Sequence, residues 1–448
     1  MAHSLSDRDV MTVSPHSLDP QEAYLKALVQ TAQAVVPADL ALADLRHRAE
    51  ALLKEQTFPS TRQEDWRFTD LSAMLALDLG GAEEVTASES TIAALRLPET
   101  AGAQLVVVNG RFSPELSRLQ GLPGGAIAGS LRDLMNRGLL PQSWGDYLGQ
   151  ASGSHEVFTA LNTVGFADAV VLWLPRHVVV ETPVQIIYLS QPQATPALVQ
   201  PRALVVAEAG SALTLVEDYW GARSEAHCTN GVTELWLGDN AQITHSRIQR
   251  EGMGTFHIGK TVVTQGRESQ YGGTSVGLGA RLARHHWEIY QTGAQTTTRL
   301  YGLTAIANRQ HSDTHSLVAL SHPHGTVEQV HRAIVDGRAH SVFNGRIVVA
   351  RAAQLTNASQ LNRNLLLSDQ ARVDTKPQLE IVADNVKCSH GATVSQLQAD
   401  EIFYLQSRGI SATQAQRLLI YAFAMEMLDK LPLASLRSAL ADAIAQWT

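Results

Sequence analysis

Gly210-Ser211-Ala212-Leu213-Thr214 and Asp239-Asn240-Ala241-Gln242-Ile243 share one order of residue types: a turn former, a polar position, alanine, then the start of a β-rich run. The order returns at Gly337-Arg338-Ala339-His340-Ser341 and at Asp369-Gln370-Ala371-Arg372-Val373. The first two turns lie 29 residues apart and the last two 32, and weaker turns at Gly266 and Gly293 continue from Asp239 in steps of 27. Only the interval from Gly293 to Gly337 breaks the series. A recurrence of about 30 residues, carried by short strands with small residues at the corners, fits a solenoid whose coils stack on one another. The predicted fold is mainly β, a right-handed parallel β-helix core. A two-sheet β-sandwich is the alternative, because Asn109-Gly110, Asn230-Gly231 and Asn344-Gly345 are hairpin-type pairs.

Outward from these turns, β-branched runs such as Val178-Val179-Val180, Leu204-Val205-Val206 and Ile347-Val348-Val349 extend the β region over 105–394. Helical periodicity is absent there. Before it, Asp19-Pro20 reads as a helix start followed by Tyr24, Leu25, Leu28, Ala32 and Val35. A second helix after Pro37 carries Leu42, Leu45, Ala49 and Leu52 on one stripe. Residues 1–18 are expected to be a flexible N-terminus, 19–104 an N-terminal helical region and 395–448 a C-terminal helical region. The charged, aromatic stretch Arg62 to Asp70 reads as a structured loop. In the C-terminal region Ser411 caps a helix whose residues Leu418 to Ala424 are apolar almost all round, which predicts burial, in part under a partner.

With 448 residues, 44% of them hydrophobic, the chain can bury a large core. A net charge of −8 without a basic stripe argues against nucleic acid as a partner. No apolar run approaches the roughly 20 residues of a membrane helix, and the first 18 residues lack a secretory core, so a cytoplasmic protein without a membrane partner is expected. Two cysteines 160 positions apart suit reduced thiols.

Cys388 and His390 are two apart in a strand-like segment, so both side chains lean to one face, with roots about 7 Å apart. They make half a metal site. A zinc or iron–sulfur centre takes about four ligands, and Cys228 is the only other sulfur of this kind, so a thiolate-rich site needs donors from another molecule. The plain alternative is a buried thiol beside a hydrogen-bonded imidazole. Gly254-Thr255-Phe256-His257-Ile258-Gly259-Lys260-Thr261 matches the phosphate-loop pattern formally, with Gly254, Gly259, Lys260 and Thr261 as its key positions. That motif requires a helix starting at Lys260-Thr261, whereas the strand-like Val262-Val263-Thr264 follows, and the loop interior is bulky. A P-loop ATPase is thus the rival function. Six of the 17 histidines fall between His311 and His340, but Pro323 separates His322 from His324, and His311 and His315 would be about 13 Å apart on a strand. Hydrogen-bonded or solvent-facing imidazoles are the expected reading. A Cys-His nucleophile lacks an orienting group, and a polysaccharide-cleaving β-helix enzyme would need clustered carboxylates that no spacing reveals.

The chain resembles the SufB/SufD family, on its SufD side, of the SufBCD iron–sulfur cluster assembly scaffold. The resemblance is carried by Glu64-Asp65-Trp66-Arg67-Phe68-Thr69, Pro201-Arg202 to Tyr219, Phe343-Asn344-Gly345-Arg346-Ile347 and Gln354 to Gln360. It continues through Asn364 to Ser368, Lys376 to Ile381, Cys388-Ser389-His390-Gly391-Ala392-Thr393 and Tyr404 to Ile410. It implies a non-enzymatic scaffold whose β-helix pairs with SufB and whose C-terminal helices bind the SufC ATPase, for which Arg408, Leu418, Leu419 and Phe423 are the candidate contacts. The resemblance also implies that His390, with Cys388 beside it, meets a SufB cysteine at the interface where a transient cluster forms. On this reading ATP belongs to SufC, and the isolated chain stably binds no cofactor and is a candidate homodimer. Family complexes are associated with a reduced flavin, for which the chain has no motif.

Overall fold

Strands whose two faces are both covered lose the apolar–polar alternation that betrays a half-buried sheet, and this chain contains many such strands. In a computed structural model, which describes residues 20–40, 42–153, 155–221 and 225–447, the strand Thr255–Gln265 is buried along its whole length. Residues 1–18, read as a flexible N-terminus, lie outside the described residues. From Ala212 onward, strands of eight to eleven residues alternate between two sheets, and each pairs in parallel with the strand one coil away. Thr255–Gln265, Leu282–Gln291, His311–Leu320, His340–Val349 and Arg372–Ile381 follow one another in the first sheet. Gln270–Gly277, Thr297–Ile306, Thr326–Val335, Asn357–Leu366 and Lys387–Gln396 do so in the second. This is a parallel β-solenoid, and its axis is filled by Leu215, Ile243, Tyr271, Leu300, Val263, Ile289, Val318 and Ile347.

The break in the sequence repeat has a geometric cause. Gly210, Asp239, Gly266 and Gly293 all precede strands of the second sheet, whereas Gly337 and Asp369 precede strands of the first. The two series mark opposite corners of the coil. Many corners take a left-handed residue, supplied by Gly210 and Gly337 but also by Asn240, Asn308, His324 and Leu355, whereas the corner at Asp369 has none, so no single residue type announces a corner. The antiparallel sandwich is excluded by the parallel pairing. Asn109-Gly110 does turn a short hairpin, with Val108 opposite Arg111, but Asn230-Gly231 and Asn344-Gly345 lie inside strands.

Two short helices interrupt the region read as purely β, Leu131–Asn136 and Val157–Gly165. Every residue of the second is buried, so it has no polar face to give it a period. It packs between the first sheet and the N-terminal helices Pro20–Ala34 and Ala43–Lys54, and this cluster covers the outer face of the first sheet. On the opposite side, helices Ala399–Ser407, Ala412–Leu428 and Ala434–Trp447 follow the last strand. Ile420, Ala424, Met427, Leu428, Leu436 and Leu440 close over Val216, Val276, Leu303 and Ile334 on the outer face of the second sheet. Ser411 caps the middle helix in a capping box with Gln414. Of the apolar run Leu418 to Ala424, expected to be buried in part under a partner, the chain itself buries Ile420 and Ala424 and leaves Leu418, Tyr421 and Ala422 exposed. One side of the helix lies on the solenoid and the other is bare.

Candidate functional site

A solenoid must end, and its final coil has no next coil to cover its backbone edges or its interior side chains. Here the last strands are Arg372–Ile381 and Lys387–Gln396, each terminal in its sheet. Their side chains are mostly half-exposed or exposed, and Ile381, Val382 and Val394 are exposed hydrophobics. Polar atoms of the interior are also left over at this end: Gln360 Oε1, Asn364 Oδ1 and Thr375 Oγ1 are buried without a hydrogen-bond partner. The 62–70 loop touches this coil through Glu64 on Lys376 and Phe68 beside Arg372, but among the described residues no further strand pairs with either terminal strand.

Cys388 and His390 sit on that open coil. Cys388 pairs in register with the buried Ala358, and His390 with the buried Gln360, so both belong to the face that lines the solenoid interior. Cys388 packs against the axial core, whereas His390 is exposed at the mouth. Partial burial pushes the Cys388 thiol up from its ordinary value, against a backbone hydrogen bond from the Ala358 position that lowers it. A bound cation or a partner's positive charge is therefore what would make it a thiolate at neutral pH. The other sulfur is out of reach: Cys228 lies under the N-terminal helices, beside Met74 at 3.8 Å, and burial pushes its thiol up to about 12. Neither cysteine is in a disulfide.

The remaining sequence candidates are placed as follows. Gly254 precedes, and Gly259, Lys260 and Thr261 belong to, the strand Thr255–Gln265, which runs straight on with no helix after Lys260. Lys260 Nζ donates to Glu288 at 2.8 Å and to the Gly153 carbonyl at 2.6 Å, and is buried. It cannot also hold phosphate. The histidines between His311 and His340 pair locally: His311 packs edge-on to His340, His340 contacts Asp374 at 2.7 Å, and His315 stacks on His286 at 5.4 Å. His331 lies in the solenoid interior against Phe343, and His322 and His324 occupy a corner. Among the described residues, no three His, Cys, Asp or Glu side chains are arranged to hold a metal ion.

In the C-terminal helices, Arg408 lies over Tyr404 at 5.4 Å, and Leu418 is 49% exposed. Phe423 and Leu419 are half-buried; the Phe423 ring lies 4.6 Å from the Arg332 guanidinium, which also donates to the Phe423 carbonyl at 2.9 Å. Sequence reading missed the most exposed aromatics here, Phe403 at 71% and Tyr404 at 58%. Only the fold reveals them, since helix Ala399–Ser407 buries no residue and so leaves its apolar side chains on the surface.

The fold is thus a parallel β-solenoid with helices on both flanks and an open final coil that carries a thiol and an imidazole on its interior face. Residues 188–423 match the SufBD core domain of the SUF system for FeS cluster assembly, and residues 20–186 match the SufBD protein N-terminal region. The chain is 44% identical over 447 residues to an iron-sulfur cluster assembly SufBD family protein of Synechocystis, covering 98% of each. It is 34% identical to the chloroplastic protein ABCI7 of Arabidopsis thaliana over 91% of this chain and 86% of that one. It is also 30% identical to the iron-sulfur cluster assembly protein SufD of Escherichia coli, over 83% of this chain and 85% of that protein. The chain belongs to the SufBD family of iron–sulfur cluster assembly proteins.

Proposed function

We propose that this chain is a scaffold subunit of a SufBCD-type complex, in which its open coil pairs with SufB and its C-terminal helices dock the SufC ATPase. The observation that carries this reading is the unfinished last coil, where two unpaired strand edges, exposed apolar side chains and unpartnered interior atoms surround Cys388 and His390. A second solenoid set end to end would cover all of these at once. The nascent cluster is cargo at that junction, held transiently by Cys388, His390 and thiolate from SufB. Imidazole suits iron, and Cys388 supplies the softer donor. The chain is not an enzyme on this reading and keeps no cofactor of its own; ATP is bound by SufC. It works in the cytoplasm, in keeping with the absence, among the described residues, of any helix long and apolar enough to cross a membrane.

His390→Ala is expected to leave the SufB and SufC partners bound while cluster content falls at least about tenfold, the scale of losing an oriented metal-binding group. Co-purification of the complex from its own cell, with iron and sulfide quantified, measures both. Full cluster content in the variant sinks the assignment of His390.

For SufC, the bare side of the C-terminal helices offers Phe403, Tyr404, Arg408 and Leu418, while Phe423 braces the helix against the solenoid and Leu419 is half-buried. Charge placed at an exposed aromatic anchor costs about 2 kcal/mol or more of binding. A Phe403→Glu, Leu418→Glu variant should therefore lose SufC on co-purification and retain SufB. Undiminished recovery of SufC rejects this surface.

A further inference from the structure

Inside the second sheet, Gln329, Gln360 and His390 occupy one register column on successive coils. The first two are linked. Gln329 Nε2 donates to Ser316 Oγ at 2.7 Å, and Gln360 Nε2 donates to Gln329 Oε1 at 2.8 Å. Gln329 thus gives its N–H across the axis to the facing strand, and Gln360 gives its N–H back along the column to Gln329, which leaves Gln360 Oε1 as the one unused acceptor of the pair. That oxygen is buried and has no partner, although Gln360 is only 2% exposed. The next position in the column is His390.

The amide is also held in place by a glycine. A Cβ built on Gly345 would lie 2.3 Å from Gln360 Nε2 and 2.8 Å from the Phe343 ring, so only glycine at this mid-strand position lets the amide cross the axis. This explains why Asn344-Gly345, a hairpin-type pair, lies within a strand. Gln329, the acceptor that holds this amide, is itself tied to Ser316 of the facing strand.

We propose that Gln360 is a positioning residue for His390: its unpaired oxygen accepts the N–H of the imidazole, fixing one tautomer and turning the lone pair of the other ring nitrogen outward to the cargo. Gln360 lies directly opposite His390 on the adjacent parallel strand, the pairing that this bond requires. The arrangement is the familiar one in which a metal-binding histidine is oriented by the acceptor on its far nitrogen. Neutral amide in place of carboxylate orients the ring without adding charge at the junction. The proposal rests on the reading of His390 given above, and it can be tested without any cluster.

The test is nitrogen-15 NMR of the metal-free full chain labelled at histidine, with the His390 ring signals identified by their loss in His390→Asn. A fixed tautomer gives one protonated-type and one lone-pair-type nitrogen, whereas exchange between tautomers draws the two signals together. In the wild type the two are expected to be well separated; in Gln360→Leu the separation should shrink by at least half, and in Gln360→Glu, which restores an acceptor, it should return. Unaltered separation in Gln360→Leu, or averaged signals already in the wild type, overturns the proposal. Thermal melting of each variant shows that the solenoid persists, and a purely structural role for Gln360 would move the melt and leave the tautomer alone. If His390→Ala proves cluster-competent while the tautomer still depends on Gln360, the functional reading fails and the positioning contact stands; the reverse pair of results removes only the contact.

Discussion

Arg284→Ala is expected to destabilise the protein by about 3–5 kcal/mol, the range for removing one partner of a buried ion pair. Arg284 and Asp313 are fully buried and in direct contact, Arg284 Nη1 to Asp313 Oδ2. Burial alone would raise the Asp313 carboxyl, but the Arg284 guanidinium and His315, 3.1 Å away, hold it well below the usual carboxylate range. Without Arg284 the carboxylate stays in the core with Thr69, His315 and His311 as its remaining polar neighbours. The guanidinium also lies 3.7 Å from the Trp66 ring, which stacks on Phe158, so one side chain ties the 62–70 loop to both the inserted helix and the solenoid. A denaturation midpoint measured for Arg284→Ala checks the size of the effect, and Arg284→Met with Asp313→Leu should recover part of it. A loss below about 1 kcal/mol in the single variant would mean that water or a neighbour rescues the carboxylate, contrary to its burial.

Acid should weaken the fold well above the carboxylate range. Burial pushes the His331 imidazole down to about 4, and burial, then the neighbouring His340 and Arg284, puts His311 at about 4 against the pull of Asp313. Both folded values lie below the unfolded one, about 6.5. The unfolded chain therefore takes up protons first. Stability held by these two groups is complete above about pH 6.5 and is lost as pH falls toward 4. At 1.36 kcal/mol per unit, each contributes about 3 kcal/mol over that interval. Glu217, Glu251 and Asp313, whose carboxyls are held down by buried histidine or arginine partners, extend the loss below pH 4. Denaturation midpoints followed from pH 7.5 to 4 should fall steeply, with a shallower slope in His331→Leu. A flat profile across that interval contradicts the neutral burial of His331.

Much of the architecture was legible along the chain. The turn–polar–alanine–strand order marked coil corners, a first-turn proline marked the helix start at Pro20, and a capping residue marked the one at Ser411. Cys388 and His390 were legible as a two-donor half-site because strand alternation alone puts them on one face. The phase of the coil was not. Turns at opposite corners look alike locally, and several of the left-handed positions are filled by Asn240, His324 or Leu355 instead of glycine. The buried helix Val157–Gly165 was hidden for a related reason, since a helix covered on all sides keeps no polar stripe.

The local sequence by itself determined which segments are strands, where they turn and that only two thiols are available to the chain, because periodicity and composition are properties of neighbouring residues. Tertiary structure alone decided which ends of those strands stay open. It set Gln360 beside His390 and Arg284 beneath Trp66, contacts between residues 30 or 218 positions apart that only the stacking of coils and the folding back of the N-terminal loop bring together. It also turned Lys260 from a phosphate-loop candidate into half of a buried ion pair, since the partner that claims its charge, Glu288, lies one coil away.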